Sequence, residues 1–282
     1  MTPAPGVVQR VVGRLARAYI AGPALADAVR AAHRLARPVT FGYWDAPGET
    51  GASVADAYCE AIAAAAEPSL DAYLSAKLPA LGDAPGAVDR VAAKAAEAGV
   101  RLHFDSLQEE HADRTLALAR LLATSGVEVG ASLPGGWSRS VADAAALAAA
   151  GVRVRVVKGQ WPGDREPRAG FLEVVDRLAR AGAPAAAVAT HDAALAAASV
   201  DRLLQAGVPV ELELLYGLPM AAVGAVAGER DVATRVYVSY GHGYLPYAVR
   251  QVRRRPRILW WLLRDSLRGD VGGLSARRRS PR

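Results

Sequence analysis

The sequence predicts an α/β fold of the (β/α)8 TIM type, a single barrel with an N-terminal helical cap. Three observations carry this. From residue 38 the chain repeats one unit: a short β-rich run, a polar or Gly/Pro loop, and an Ala/Leu/Arg helix. Eight such units in 282 residues suit a closed barrel better than an open doubly wound sheet. Polar residues gather at the C-terminal ends of the strand candidates, where barrels of this kind place their chemistry.

Residues 7–36 carry apolar positions at helical spacing between arginines, broken at Gly22-Pro23. They precede the first strand and read as a cap or lid. The strand candidates are Val39–Trp44, Ala72–Leu78, Val100–Asp105, Val127–Ser132, Val152–Lys158, Ala185–Thr190, Val208–Leu215 and Thr234–Ser239. Helices are expected near 53–66, 85–98, 110–124, 139–150, 168–182, 192–206, 219–228 and 246–268. The Ala-rich sixth strand rests on its place in the series more than on its composition. The organisation is thus a helical segment (1–37), a barrel (38–270) and a basic, unstructured tail (271–282).

A hydrophobic content of 52% is ample for a large core. The net charge of +6 is concentrated late, at Arg250, Arg253, Arg254, Arg255, Arg257 and the final arginines. That clustering suits a local anionic partner and not a nucleic-acid-binding body, for which no motif is present. The lone Cys59 can form no internal disulfide and points to a reducing, cytoplasmic setting. The Arg-interrupted N-terminus lacks the unbroken apolar core of a signal peptide, and Ile258–Leu263 is too short to span a bilayer. The five histidines lack metal-site spacing, so no metal is expected. Nucleophile-elbow and phosphate-loop patterns are absent. Gly241-His242-Gly243 follows the last strand, not the first, and reads as a loop and not a dinucleotide fingerprint.

What remains is a set of cations (Lys77, Arg155, Lys158, Arg250), two carboxylates (Asp105, Glu213) and an aromatic wall (Trp161, Tyr216, Tyr237). Cations in a concave site favour a ligand bearing anionic groups such as a pyrophosphate and a carboxylate. In VRVRVVKGQW, Arg155 and Val157 project to one side of strand five, with Lys158 and Gly159 at its mouth. A glycine there lets the backbone approach a flat ring.

VRVRVVKG at 152–159, ATH at 189–191, VELELLYG at 210–217 and RVYVSYG…LPYAVR at 235–250 together resemble the flavin-dependent proline dehydrogenases of the monofunctional, bacterial type. LSAKLPALG at 74–82 and the strand end at Asp105 follow the same order, so the resemblance spans roughly 38–270. It implies a (β/α)8 barrel holding FAD and a hydride transfer from the carbon beside a ring nitrogen to flavin N5. The product would be a cyclic imine, and the electrons would pass to an acceptor such as a quinone. It also implies that Lys77 and Asp105 face the substrate and that Arg155 lies near N5. Val157, Lys158, Gly159, Trp161, Thr190, His191 and Glu213 would line the cofactor. Leu215, Tyr216 and Tyr237 would pack on the substrate, whose carboxylate Arg250 would clamp.

The chain departs from the family at the clamp, where Gln251 replaces a second arginine and Arg254 a glutamate; either is expected on the substrate side. Gly130 and Glu213 stand where the family usually has glutamines. These changes leave open a different secondary amine or hydrazine-type amino acid as substrate. They also leave open a barrel without flavin chemistry that serves as a binding or scaffold protein. The RILWWLL run reads either as the last barrel helix or as a peripheral membrane-surface element serving a quinone.

Overall fold

The computed structural model describes residues 19–159 and 163–243. Eight parallel strands close into a barrel in sequence order. They are β1 (Val39–Tyr43), β2 (Ala72–Ala76), β3 (Leu102–Phe104), β4 (Val129–Pro134), β5 (Arg153–Val157), β6 (Ala186–Ala189), β7 (Val210–Leu215) and β8 (Thr234–Tyr240). The described helices are α1 (Leu25–Leu35), α2 (Gly51–Ala65), α3 (Ala87–Ala98), α4 (Ala112–Thr124), α5 (Ser140–Ala149), α6 (Pro167–Ala181), α7 (Ala193–Gln205) and α8 (Ala221–Arg230). Closure is made by β1 against β8, with Thr40 opposite Tyr237 and Gly42 opposite Ser239. The expected helix over 246–268, the first cap helix before residue 19 and the tail lie outside the described residues.

Four expected strands begin one or two residues later than their valines suggest, and one device explains this. After α3, α4, α5, α6 and α7 the chain turns through Gly99, Gly126, Gly151, Gly182 and Gly207, with φ between 60° and 82°. The next residue then donates its N–H back to a carbonyl of the helix's last turn, as Val152 does to Leu147 and Val208 to Leu203. This is the Schellman arrangement, which needs a left-handed residue and favours an apolar one after it. Val100, Val127, Val152 and Val208 are therefore buried helix caps and not strand residues.

Strand residues alternate between two environments. Phe41, Leu74, Leu102, Phe104, Val154, Val156, Leu212, Leu214, Val236 and Val238 face outward into the helices and form the buried apolar layer. α1 joins this layer on β8, burying Ala28, Ala31 and Ala32. The chain before it is tied to the β8 end through Ala21 N–H to Ser239 O (2.9 Å). Most inward residues are polar: Thr40, Tyr73, Ser75, His103, Ser132, Arg153, Arg155, Glu211, Glu213, Arg235 and Tyr237. A barrel lumen is usually filled by branched apolar side chains. Here it is a hydrogen-bonded charge network.

Candidate active site

The lumen holds two layers joined by Tyr73. Toward the N-terminal end, Arg153 and Arg235 both pair with Glu211, and Arg235 also reaches Asp71 at 2.9 Å. Toward the C-terminal end, Arg155 lies between two carboxylates. Its Nε and Nη2 donate to Glu213 at 2.7 and 2.8 Å, and its Nη1 donates to Asp105 at 2.8 Å. Tyr73 Oη accepts from Arg153 at 3.1 Å and from Arg155 at 3.2 Å, and donates to Glu213. Thr40 donates a further bond to Glu213 at 2.8 Å. The planar guanidinium suits this two-point grip on a carboxylate. Burial alone would raise the Glu213 carboxyl; the Arg155 and Arg153 charges and the donated bonds overcome it and hold the group below its ordinary value.

Asp105 links this layer to the reacting side. Its Oδ1 accepts from Ser75 (2.8 Å) and Arg155, and its Oδ2 accepts from the Tyr237 hydroxyl (2.7 Å). Lys77 Nζ stands 3.7 Å from Oδ2. The ammonium donates to Tyr43 O (2.7 Å) and lies over the Trp44 ring, 4.3 Å from its centroid. Burial lowers the Lys77 pKa against the pull of Asp105, and burial followed by the Asp105 charge raises the Tyr237 phenol well above its usual range. Gly42 makes room for that phenol, since a methyl group at position 42 would lie 2.3 Å from the Tyr237 ring.

These groups floor a cavity of ≈ 300 Å³ at the C-terminal ends of the strands. Lys77, Asp105, Arg155, Glu213 and Tyr237, which the sequence singles out, meet there. Val157, Gly159, Thr190, His191, Leu215 and Tyr216 form its walls and rim, with Leu215 48% exposed at the mouth. Lys158 stands aside from the lining, half-exposed, with Nζ 3.4 Å from Asp192, to which Arg168 also donates. His191 accepts from Leu215 N–H at Nε2 (2.9 Å) and bonds Pro219 O through Nδ1 (3.0 Å). Both ring nitrogens are thereby used to tie the loop after β6 to the loop after β7. Trp161, Arg250, Gln251 and Arg254 lie outside the described residues.

Sequence reasoning missed Tyr19 and Trp44 in the wall and Thr40, Tyr73, Ser75 and Ser132 in the network. The signal that could have found the last four is the inward alternation of β1, β2 and β4. Gly130, which the family pattern aligns with a flavin-touching glutamine, sits lower, packed on buried His103. Tyr19 places the segment preceding α1 at the cavity.

Fold and site define a (β/α)8 barrel with a charged lumen and a strand-end pocket. No family model matches the chain. Proline dehydrogenase 1 of Bacillus subtilis strain 168 is 26% identical over 276 residues, covering 90% of this chain and 91% of its own; the protein from subspecies natto gives the same figures. Among solved structures, proline utilization A of Bdellovibrio bacteriovorus, inactivated by N-propargylglycine, superposes with a TM-score of 0.72 at 18% identity over 88% of this chain. Proline utilization A of Corynebacterium freiburgense gives 0.69 at 17% identity over 98%. This chain spans about a third of those two proteins (33% and 35%), and at such identities the likeness carries the fold alone. The sequence is thus similar to a proline dehydrogenase along nearly its whole length, and the fold is similar to the barrels of the two proline utilization A proteins.

Proposed function

We propose that this chain is an FAD-dependent dehydrogenase that oxidises proline, or a closely related secondary amine, to the cyclic imine. The observation that carries the reading is the buried cluster of Lys77, Asp105, Arg155 and Tyr237 in the strand-end cavity of a chain 26% identical to a proline dehydrogenase. Bound there, FAD would supply the two-electron acceptor for the carbon–hydrogen bond that breaks. The residues present fit such a group. Val157 and Leu215 offer apolar surface, and Gly159, at φ 92°, brings backbone to the wall without a side chain. Lys158 and Arg168 both pair with Asp192, with the Glu166 carboxylate nearby, and offer donors for a pyrophosphate.

The chain's own residues orient and shield. A substrate amine arriving unprotonated lends its lone pair to the new C=N bond as hydride leaves the adjacent carbon, and the protonated imine so formed gives its N–H proton to solvent, so no strong base is required. Lys77, fixed by Tyr43 O and Trp44, and Tyr237, its proton held on Asp105 Oδ2, present a rigid polar edge against which the substrate ring is placed. The resemblance assigns the substrate carboxylate to Arg250. Electrons leave to an external acceptor such as a quinone, in a cytoplasmic protein whose 258–263 run offers a peripheral membrane contact. Among the described residues no helix is long and apolar enough to cross a membrane. The division into a helical segment (1–37), barrel (38–270) and basic tail (271–282) belongs to the same proposal.

The test is a spectrum of the purified chain with added FAD, followed by anaerobic titration with proline. Bleaching of bound flavin by proline is the expected result. Retained flavin that only another amine bleaches would move the substrate, and failure to take up FAD would remove the flavoenzyme reading altogether.

A further inference from the structure

Arg155 lines the cavity, yet its guanidinium has no N–H left to give. Nε–H and one Nη2–H are taken by Glu213, and the other Nη2–H by Tyr73. Nη1 serves Asp105, with Ser75 at 3.2 Å and Ser132 at 3.4 Å sharing the remaining hydrogen. The guanidinium has five donors in all, so the network closes on itself. The charges close too: Lys77 and Arg155 are matched by Asp105 and Glu213. Glu213 is the better buried of the two carboxylates, with 1% of its side chain exposed against 16% for Asp105. Thr40 and Tyr73 also donate to it, so it is held against Arg155 by four hydrogen-bonding groups in all, two of them the guanidinium's own.

We propose that Glu213 is a positioning and charge-compensating residue, which holds Arg155 in place at the cavity floor and cancels its charge, making the bound flavin harder to reduce. The inference rests on the FAD reading above. Two-electron reduction adds negative charge to the flavin ring system, and a neighbouring cation favours that state only to the extent that its own field is uncompensated. A carboxylate fixed at 2.7–2.8 Å from the guanidinium, and lining the same cavity, removes much of that field.

Two substitutions separate charge from position. Glu213→Gln keeps the length and one acceptor oxygen, enough for Thr40 and one of the two Arg155 bonds, but removes the charge. Glu213→Asp keeps the charge but shortens the reach, breaking the two-point grip. In spectroelectrochemical titration of the FAD-loaded proteins, Glu213→Gln should raise the midpoint potential by about 30 mV or more, a tenfold shift of a two-electron equilibrium. Glu213→Asp should leave the potential near that of the parent while lowering kcat several-fold with little change in KM. A Glu213→Gln protein that binds FAD at the parent's potential would overturn the inference and leave the proposed function standing. A parent chain that takes up no FAD overturns both. Loss of folding in both variants would reduce Glu213 to a structural ion-pair partner and overturn the inference as well.

Discussion

A methyl group on Gly130 would lie 2.3 Å from Nδ1 of His103, so the imidazole occupies the space that a side chain at position 130 would need. The two residues are register partners on β3 and β4, and His103 is fully buried with Nε2 fixed 2.9 Å from Ser132 Oγ. Neither partner can yield without disturbing the network under Arg155. Gly130→Ala should therefore destabilise the fold by about 1–3 kcal/mol through overpacking. Adding His103→Ala should restore part of that loss, a non-additivity that urea denaturation of the four proteins of the cycle would measure. Additive effects would show that the ring moves freely.

His103 also sets a pH dependence. Burial, then the nearby Arg155, Arg153 and Arg101 charges, hold its pKa well below the ordinary 6.5, so the folded ring stays neutral. As the pH falls below 6.5 the unfolded chain takes up a proton that the folded chain refuses, and stability drops with pH by up to ~1 kcal/mol per unit from this group. His103→Asn should flatten that part of the slope between pH 6.5 and the depressed pKa. His191, also held low by burial, acts with the same sign and leaves a residual slope in the variant.

Tyr237 donates to Asp105 Oδ2 at 2.7 Å. Tyr237→Phe removes one charge-assisted bond, worth about 1.5–3 kcal/mol, and leaves Oδ2 to Lys77 alone. The melting temperature should fall by several degrees from the lost bond, and kcat/KM for proline should fall roughly ten- to hundredfold because the carboxylate is no longer oriented. An unaltered kcat/KM would remove Tyr237 from the working edge of the site.

Gly151 offers a contrast with Gly130. A methyl group there meets nothing within 4 Å, but its φ of 75° is one that L side chains seldom adopt. Gly151→Ala should cost about 1 kcal/mol, seen as a modest fall in Tm with activity intact. A Tm equal to the parent's would mean that the cap relaxes without strain.

The serial order of strands and helices was legible because each unit is short, apolar and bounded by Gly, Pro or polar residues. The starts of four strands were not, because in Gly99-Val100, Gly126-Val127, Gly151-Val152 and Gly207-Val208 a β-branched residue serves the helix it follows. Composition sees a valine and reads strand; only the backbone bond to the helix's last turn reassigns it. In the site, Lys77, Asp105, Arg155 and Glu213 could be named because they stand at strand ends. Their mutual arrangement could not, since Arg155 and Glu213 are 58 residues apart and come together across the lumen. Thr40, Tyr73 and Ser75 looked like ordinary strand residues, and only closure of the barrel turns them inward onto charges.

The alternation along the strands has an evolutionary consequence. Odd and even positions of one strand answer to different demands: in β5, Val154 and Val156 satisfy the helices, while Arg153 and Arg155 satisfy the lumen. Tolerance to substitution should therefore oscillate with a period of two along each strand. The outward register would accept most apolar exchanges of similar volume. The inward register would accept change only in compensating sets, so that new specificity is reached by rewriting several lumen residues together while the shell that folds the chain is left untouched.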